Sequence, residues 1–458
     1  MRATVVVITA AALWQLLQPP PADDDDEVLM RYPLHHRETL RAFEQLNRAA
    51  RRSEAAPEPP RLRRLDLTPV SDNGTVSYVL TDPERISPRA LALTAAGVKV
   101  LQLLDGSRSL DQIAAQAAAI VPASDTPERV RQLVQNLSAS LFLFDTAYRS
   151  AVIELVGDFA RLRERAPIAM GSSYPDDGAA AREQVLGYLD GHQPPAGKLR
   201  GLIAPHIDYQ RGHLTYGKAY GALRGLTGVR RFVILGTAHN RSFRRFTATR
   251  KHYRTALGTT VTDSDFLGRL ARTYPYPLFE DEFLHRGEHS IELNLPFLQA
   301  LFGPDVAVVP ILCGSQQDLF AERRDPLADP ETAAFIAALR QTIAESAGDS
   351  VVIAAADLSH MGPHFGDQFI MDEERLARLR RDDQALIDRL AAADAAGFFA
   401  ALSKSNNATR VCGAAPIYAL LQVLGPDVRI EVRGYEQCTD PERFTTVTIP
   451  AAAVVDGD

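Results

Sequence analysis

The chain has 458 residues, 46% of them hydrophobic, a size that suggests two or three domains with sizeable cores and sets disorder aside as the default. A net charge of -7 argues against a surface built to neutralise nucleic-acid phosphates. The three cysteines, Cys313, Cys412 and Cys438, are too few and too widely spaced for a disulfide framework, which fits a reduced, cytoplasmic setting.

In chain order, Arg2 followed by the apolar run Ala3 to Leu17 has the outline of a short signal peptide. Pro19 to Pro21 and the acidic Asp23 to Asp26 follow it without a small-residue cleavage site, and the run falls short of the roughly 20 apolar residues of a membrane span. The expectation is a buried helix or a disordered start, with no membrane segment. Thr39 to Arg52 has a helical pattern, and the proline-rich, acidic Ser53 to Pro60 reads as a linker, so residues 1–60 form an extension and residues 61–150 a small domain. In that domain Val76 to Leu80 alternates as a strand. Three helical patterns follow, one through LALTAAGVKVLQLLDG, one capped by Ser109, and one opened by Thr126 and Pro127.

From about residue 165 to 450 strand and helix patterns alternate. Strands are expected to Ala204, over Phe232 to Leu235, Val306 to Leu312 and Val351 to Ala355, with helices at Leu214 to Leu226, Ile291 to Phe302 and Glu331 to Ser346. Helices over Glu373 to Ala393 and Ala396 to Ser403, and two closing strands, complete the reading. Alternation of this kind predicts an α/β fold, a mostly parallel sheet flanked by helices on both faces.

Three apolar runs in this region end in chemistry-bearing residues: LIAPHIDY delivers His206, RFVILGTAHN delivers His239, and VVIAAADLSH delivers Asp357 and His360. Strand ends in an open α/β sheet are where ligands gather, and neutral imidazole is the commonest metal ligand. Eight of the eleven histidines lie between His206 and His364. A lone histidine is more often hydrogen-bonded structure; three at equivalent strand ends point to a site. Cys412 stands before Gly413 at a helix start, where the dipole favours a thiolate, or else is a buried structural cysteine. Glu288 and His289 precede Ser290, a candidate N-cap, so their side chains reach a cavity or complement that helix. Cys313 ends an apolar strand and reads as packing. His213 and His364 are possible pocket walls. No phosphate loop, GxGxxG, HExxH or GxSxG motif is present, which removes nucleotide-cofactor and serine-hydrolase chemistry and leaves a metal site.

The ordered set APHIDY (204–209), LGTAHN (235–240), LGTTVTD (257–263), EHSIELNLPFL (288–298), VPILCG (309–314), ADLSHMG (356–362) and CGAAPI (412–417) resembles the MEMO family, called AmmeMemoRadiSam system protein B in prokaryotes. The resemblance implies a fold similar to class III extradiol ring-cleaving dioxygenases, which hold non-haem iron with two histidines and a carboxylate. His206 and His239 would be the histidine ligands, Cys412 would replace the glutamate, and His360, with Asp357, would supply the catalytic acid or base. A thiolate in place of a carboxylate softens the site, so iron or copper is implied and ring cleavage is not carried over. Ile207 and Asp208 depart from the commoner APHAGY, and Asp208 could restore an acidic ligand or hydrogen-bond one. Whether the chain is an enzyme stays open. The alternative is a non-catalytic module that captures a peptide, small molecule or partner. An AMMECR-type protein and a radical SAM enzyme are the implied partners. Separately, the run LTxxGxxxLxLLDGxRSLxxI (93–113) resembles the PqqD-like winged-helix or peptide-chaperone family.

Overall fold

The structure, a computed structural model, describes residues 37–52, 59–72, 75–121, 125–441 and 443–457. The apolar run at Ala3 to Leu17, the acidic run at Asp23 to Asp26 and most of the proline-rich 53–60 segment lie outside these residues. The chain divides into two compact units, the first ending at Arg161 and the second beginning at Leu162. Among the described residues no helix is long and apolar enough to cross a membrane.

The first unit holds a three-stranded antiparallel sheet, β1 (Asp66–Asp72), β2 (Thr75–Thr81) and β3 (Leu91–Leu93), with helices Arg37–Arg52, Ala95–Leu101, Leu110–Ile120, Thr126–Ala139 and Thr146–Arg161. The continuous helix expected through LALTAAGVKVLQLLDG is instead a short strand and a short helix. Thr94 separates them: its hydroxyl accepts the Gly97 amide proton, the hydrogen bond of an N-cap. Ser109 caps the next helix through a full capping box with Gln112. Leu65, Leu80, Leu101, Ile113, Leu137 and Phe142 form the unit's core.

The second unit is built on a nine-stranded sheet. Its parallel centre runs β10 (Val261–Thr262), β11 (Ala307–Cys313), β6 (Val229–Thr237), β12 (Asp349–Ala355) and β5 (Leu199–Ala204). β15 (Thr446–Asp456) adds antiparallel to β5. β14 (Val428–Thr439) and β13 (His360–Met361) pair with β15, and β7 (Phe246–Ala248) pairs with β11. A separate small sheet joins β4 (Glu164–Arg165), β8 (His252–Thr255) and β9 (Gly258–Thr259). The sheet is thus parallel through its five central strands, as expected, with antiparallel additions: β15 runs against β5, β14 and β13, and β7 against β11.

Alternate residues of the central strands serve opposite faces: Val233 and Leu235 of β6 pack into one apolar cluster, Phe232 and Ile234 into the other. With both faces covered, the strand ends are the places where side chains can leave the core. β12 is inserted between β6 and β5, so three consecutive strands of the sheet end side by side. Their carboxyl ends carry the residues singled out from the sequence.

Candidate metal centre

Pro205, which has no amide proton to extend a ladder, follows β5, and the next residue turns into the crevice. His206 is 1% exposed. Its amide donates to Asp357 Oδ1 at 2.8 Å and its ring Nδ1 lies 2.9 Å from the Ala355 carbonyl oxygen, the last residue of β12. A carbonyl only accepts, so Nδ1 carries a proton, and Nε2 is the nitrogen left for a metal once its own proton is displaced. That Nε2 faces Cys412 Sγ at 3.3 Å and Asp357 Oδ2 at 3.6 Å.

His239 is held in the same way by a different partner. Glu288 Oε2 accepts the His239 amide at 2.8 Å, and the two carboxylate oxygens lie 3.0 and 3.1 Å from His239 Nδ1. Glu288 Oε1 also accepts the amides of His289 and Ser290. The Ser290 hydroxyl donates to the Thr237 carbonyl at the end of β6, so Ser290 ties this loop to the strand instead of capping a helix; a 3-10 turn, Glu292–Asn294, and then the helix Leu295–Phe302 follow it. His289 stacks on His239 with ring centroids 4.7 Å apart, and both rings are about one-third exposed.

Cys412 enters from a loop pressed against the end of β12. Its amide reaches the Leu358 carbonyl at 3.4 Å and the Gly413 amide donates to Asp357 O at 3.0 Å. Gly413 is required by proximity: a Cβ there would sit 2.4 Å from Asp357 O and 2.5 Å from Ala356 Cβ. The helix Ala414–Leu424 starts immediately after.

The electrostatics of these groups are mutual. Burial would raise the Cys412 thiol, but the charges of His206 and His360 and hydrogen bonds from His206 and His239 outweigh it and draw it down to about 5. Burial would lower His206, but Asp357 and Cys412 lift it to about 9. Against the same opposing burial, Glu288 holds His239 well above the usual imidazole range and is itself held well below the carboxylate range.

Among the described residues two groups bring metal-capable atoms within 4.8 Å of one another: His206, His239 and Cys412; and His239, Glu288 and His289. Asp357 Oδ2 lies 3.6 Å from His206 Nε2, beside the first group. His360 sits on the Cys412 side; its Nδ1 lies 3.1 Å from the Leu358 carbonyl, its own carbonyl accepts Arg410 Nε at 2.9 Å, and its ring meets the edge of Phe365. Arg410 also pairs with Asp367, an anchor that nothing in the local sequence signals.

The remaining candidates are placed differently. Asp208 is the N-cap of the helix Tyr209–Tyr220, accepting the Arg211 amide and pairing with the Arg211 guanidinium, which occupies the carboxylate proposed as an added ligand. That helix begins five residues earlier than the expected start at Leu214. His213 therefore lies within it, its ring 5.1 Å from that of Tyr188. His364 is exposed on the turn Pro363–Phe365. His285, by contrast, is wholly buried between the Tyr253 hydroxyl and the Thr247 carbonyl, and burial pushes it down to about 3, so it serves as neutral structure. Cys313 and Cys438 are buried free thiols, both raised by burial.

Fold and site together define an α/β protein with two imidazoles and a thiolate converging beyond the carboxyl ends of parallel strands. Residues 165–455 match the family model described as Memo-like protein, and the chain belongs to that family. It is 25% identical over 365 residues to a MEMO1 family protein of Aquifex aeolicus, covering 80% of this chain and 91% of that one. A MEMO1 family protein of Thermus thermophilus is 29% identical over 262 residues, 57% of this chain and 74% of the relative. One from Methanosarcina acetivorans is 28% identical over 299 residues, 64% and 98% respectively. The Aquifex match is longer than the Memo-like region, so likeness to that protein extends beyond residues 165–455.

Proposed function

We propose that this chain is a metal-binding protein of redox or oxygen-dependent chemistry, with His206, His239 and Cys412 as ligands and Asp357 and His360 beside them as acid or base. The observation that carries the reading is the pairing of each imidazole's Nδ1 with a fixed acceptor, which leaves His206 Nε2, and by the same argument His239 Nε2, as the nitrogen that would exchange its proton for a metal beside a thiolate. Two nitrogens and a soft sulfur suit iron or copper, and an ion held there would supply electron transfer or oxygen activation. The protein's own contribution is to orient the imidazoles through Ala355 and Glu288, to keep Cys412 as thiolate, and to offer the Asp357 carboxylate and the His360 imidazole to a proton on a bound molecule. The wider reading joins a fold similar to class III extradiol dioxygenases, a PqqD-like first unit, a cytoplasmic setting, and partners of the AMMECR and radical SAM types.

Anaerobic purification followed by elemental analysis and spectroscopy tests this, on the wild type and on His206→Ala, His239→Ala and Cys412→Ala. Near-stoichiometric iron or copper, lost in all three variants, is expected. A wild type that takes up no metal on loading with Fe(II), Cu(I) or Zn(II) would sink it. The second reading, capture of a peptide or partner without turnover, draws on an apolar lip beside the His360 loop, where Phe365 meets His360 and Phe444 is 50% exposed. Partner binding that survives all three substitutions would favour it.

A further inference from the structure

The helix Glu373–Ala391 buries Leu379, Asp383, Leu386, Ile387 and Leu390. Asp383 therefore occupies an inward position of an amphipathic helix, four residues from Leu379 and three from Leu386, where a leucine would satisfy the pattern. Its neighbour Asp382 is exposed. A carboxylate taken fully out of water is costly unless something uses its acceptors, and Asp383 is 0% exposed.

What uses them is the site loop. The Ser359 hydroxyl donates to Asp383 Oδ1 at 2.7 Å and the Tyr435 hydroxyl to Oδ2 at 2.8 Å; Thr448 contributes a third side-chain hydrogen bond. Among the described residues no basic side chain forms a salt bridge with Asp383, so hydroxyls alone solvate it. Ser359 lies one residue from His360 and two from Asp357, and it too is wholly buried. Its backbone is fixed at both polar groups, the amide by Thr448 Oγ1 at 2.8 Å and the carbonyl by the Thr448 amide at 2.9 Å. The Asp357 and Leu358 carbonyls in turn receive the amides of Gly413 and Cys412. Asp383, Thr448 and Ser359 thus form a buried clamp through which a helix remote in sequence grips the segment that carries Asp357 and His360 and abuts Cys412.

We infer that Asp383 is a positioning residue for the metal centre, holding the 357–360 loop through the Ser359 hydroxyl so that Asp357 and His360 stay in place against His206 and Cys412. The inference rests on the metal reading for its function. Partners that orient the residues around a metal commonly matter about 10- to 100-fold in affinity when removed. A carboxylate that merely filled space in the helix interface would leave the metal centre unchanged on substitution.

The test uses the full chain loaded with Co(II), comparing wild type with Ser359→Ala, Asp383→Asn and Tyr435→Phe. Tyr435→Phe is the control, because it removes a hydroxyl from the same carboxylate without touching the loop. Affinity by chelator competition, the Co(II) d–d spectrum, thermal stability and amide exchange at residues 359 and 360 are measured together. Ser359→Ala and Asp383→Asn should bind Co(II) at least about tenfold more weakly, with a shifted spectrum. Tyr435→Phe should lose stability while keeping wild-type binding and spectrum. Unchanged binding in Ser359→Ala and Asp383→Asn, or equal weakening in all three, would overturn the inference. Should wild type bind no Co(II), the metal reading fails separately, and amide exchange alone decides whether the clamp holds. Faster exchange at 359 and 360 in the first two variants but not in Tyr435→Phe supports it; equal protection in all four proteins overturns it.

Discussion

The sulfur of Cys412 lies 3.3 Å from Nε2 of His206, although 206 positions separate the two in the chain. The contact makes an ion pair of thiolate and imidazolium in the metal-free protein, with the thiol at about 5 and the imidazole at about 9. Cys412 is depressed, so its contribution to stability is lost as pH falls through about 5. His206 is raised, so its contribution is lost as pH rises through about 9. Iodoacetamide should therefore alkylate Cys412 in metal-free protein at a nearly constant rate between about pH 6 and pH 8, where an ordinary thiol would gain roughly tenfold per unit. Mass spectrometry of the modified peptide reads this, with buried Cys313 and Cys438 unreactive. A rate climbing tenfold per unit through that range would contradict the pairing.

Cys412→Ala should remove most of the bound metal. Cys313→Ala, which vacates a small volume in β11 within the apolar cluster, should keep the metal and lower stability by about 1 kcal/mol. Cys412→Glu rebuilds a two-histidine, one-carboxylate face and should shift preference from soft ions toward Fe(II) in competitive loading with Fe(II), Cu(I) and Zn(II). Identical metal content in wild type and all three variants would make Cys412 structural.

Glu288 accepts hydrogen bonds from His239, His289 and Ser290 while lying 3% exposed. Glu288→Gln keeps the shape but replaces an acceptor with a donor, so it should weaken metal retention about 10- to 100-fold by chelator competition. Retention equal to wild type would show that His239 is oriented by packing alone.

A buried ion pair supports the same loop from behind. Arg165 and Glu292, both 0% exposed, are hydrogen-bonded to each other, and Glu292 also takes the Tyr174 hydroxyl and the amides of Ile168 and Ala169. Removing one partner strands the other charge, so Arg165→Met should cost about 3 to 5 kcal/mol in denaturant unfolding. A loss below about 1 kcal/mol would mean that the pair is solvated on unpairing and bears little of the fold.

Leu162, 52% exposed, begins the second unit. Limited proteolysis should cut near this junction and release a resistant C-terminal piece starting between about residues 150 and 198, since nicks concentrate in exposed connections. N-terminal sequencing identifies the cut. One resistant core that spans both units would count against their independence.

Strand ends were legible in the sequence because burial on both faces of a sheet writes continuous apolar runs, and the residues after LIA, ILGT and IAAA had to emerge where those runs stopped. The motif residues at those ends were readable for the same reason. Other features depend on distant pairing. Helix Tyr209–Tyr220 starts at Asp208 because that carboxylate caps it, which the apolar spacing around Leu214 does not reveal. Glu288 orients His239 across 49 positions, and Asp357 reaches His206 across 151, contacts that exist only once β5, β6 and β12 lie side by side. Asp383 shows the same dependence at shorter range, 24 positions from Ser359 and 52 from Tyr435. In RRDDQ it reads as part of a solvated charge run, and only the packing of its helix against β14 and the Ser359 loop turns it inward. Local patterns record what each residue does with water; which buried polar groups satisfy one another is set by the fold that brings them within about 3 Å.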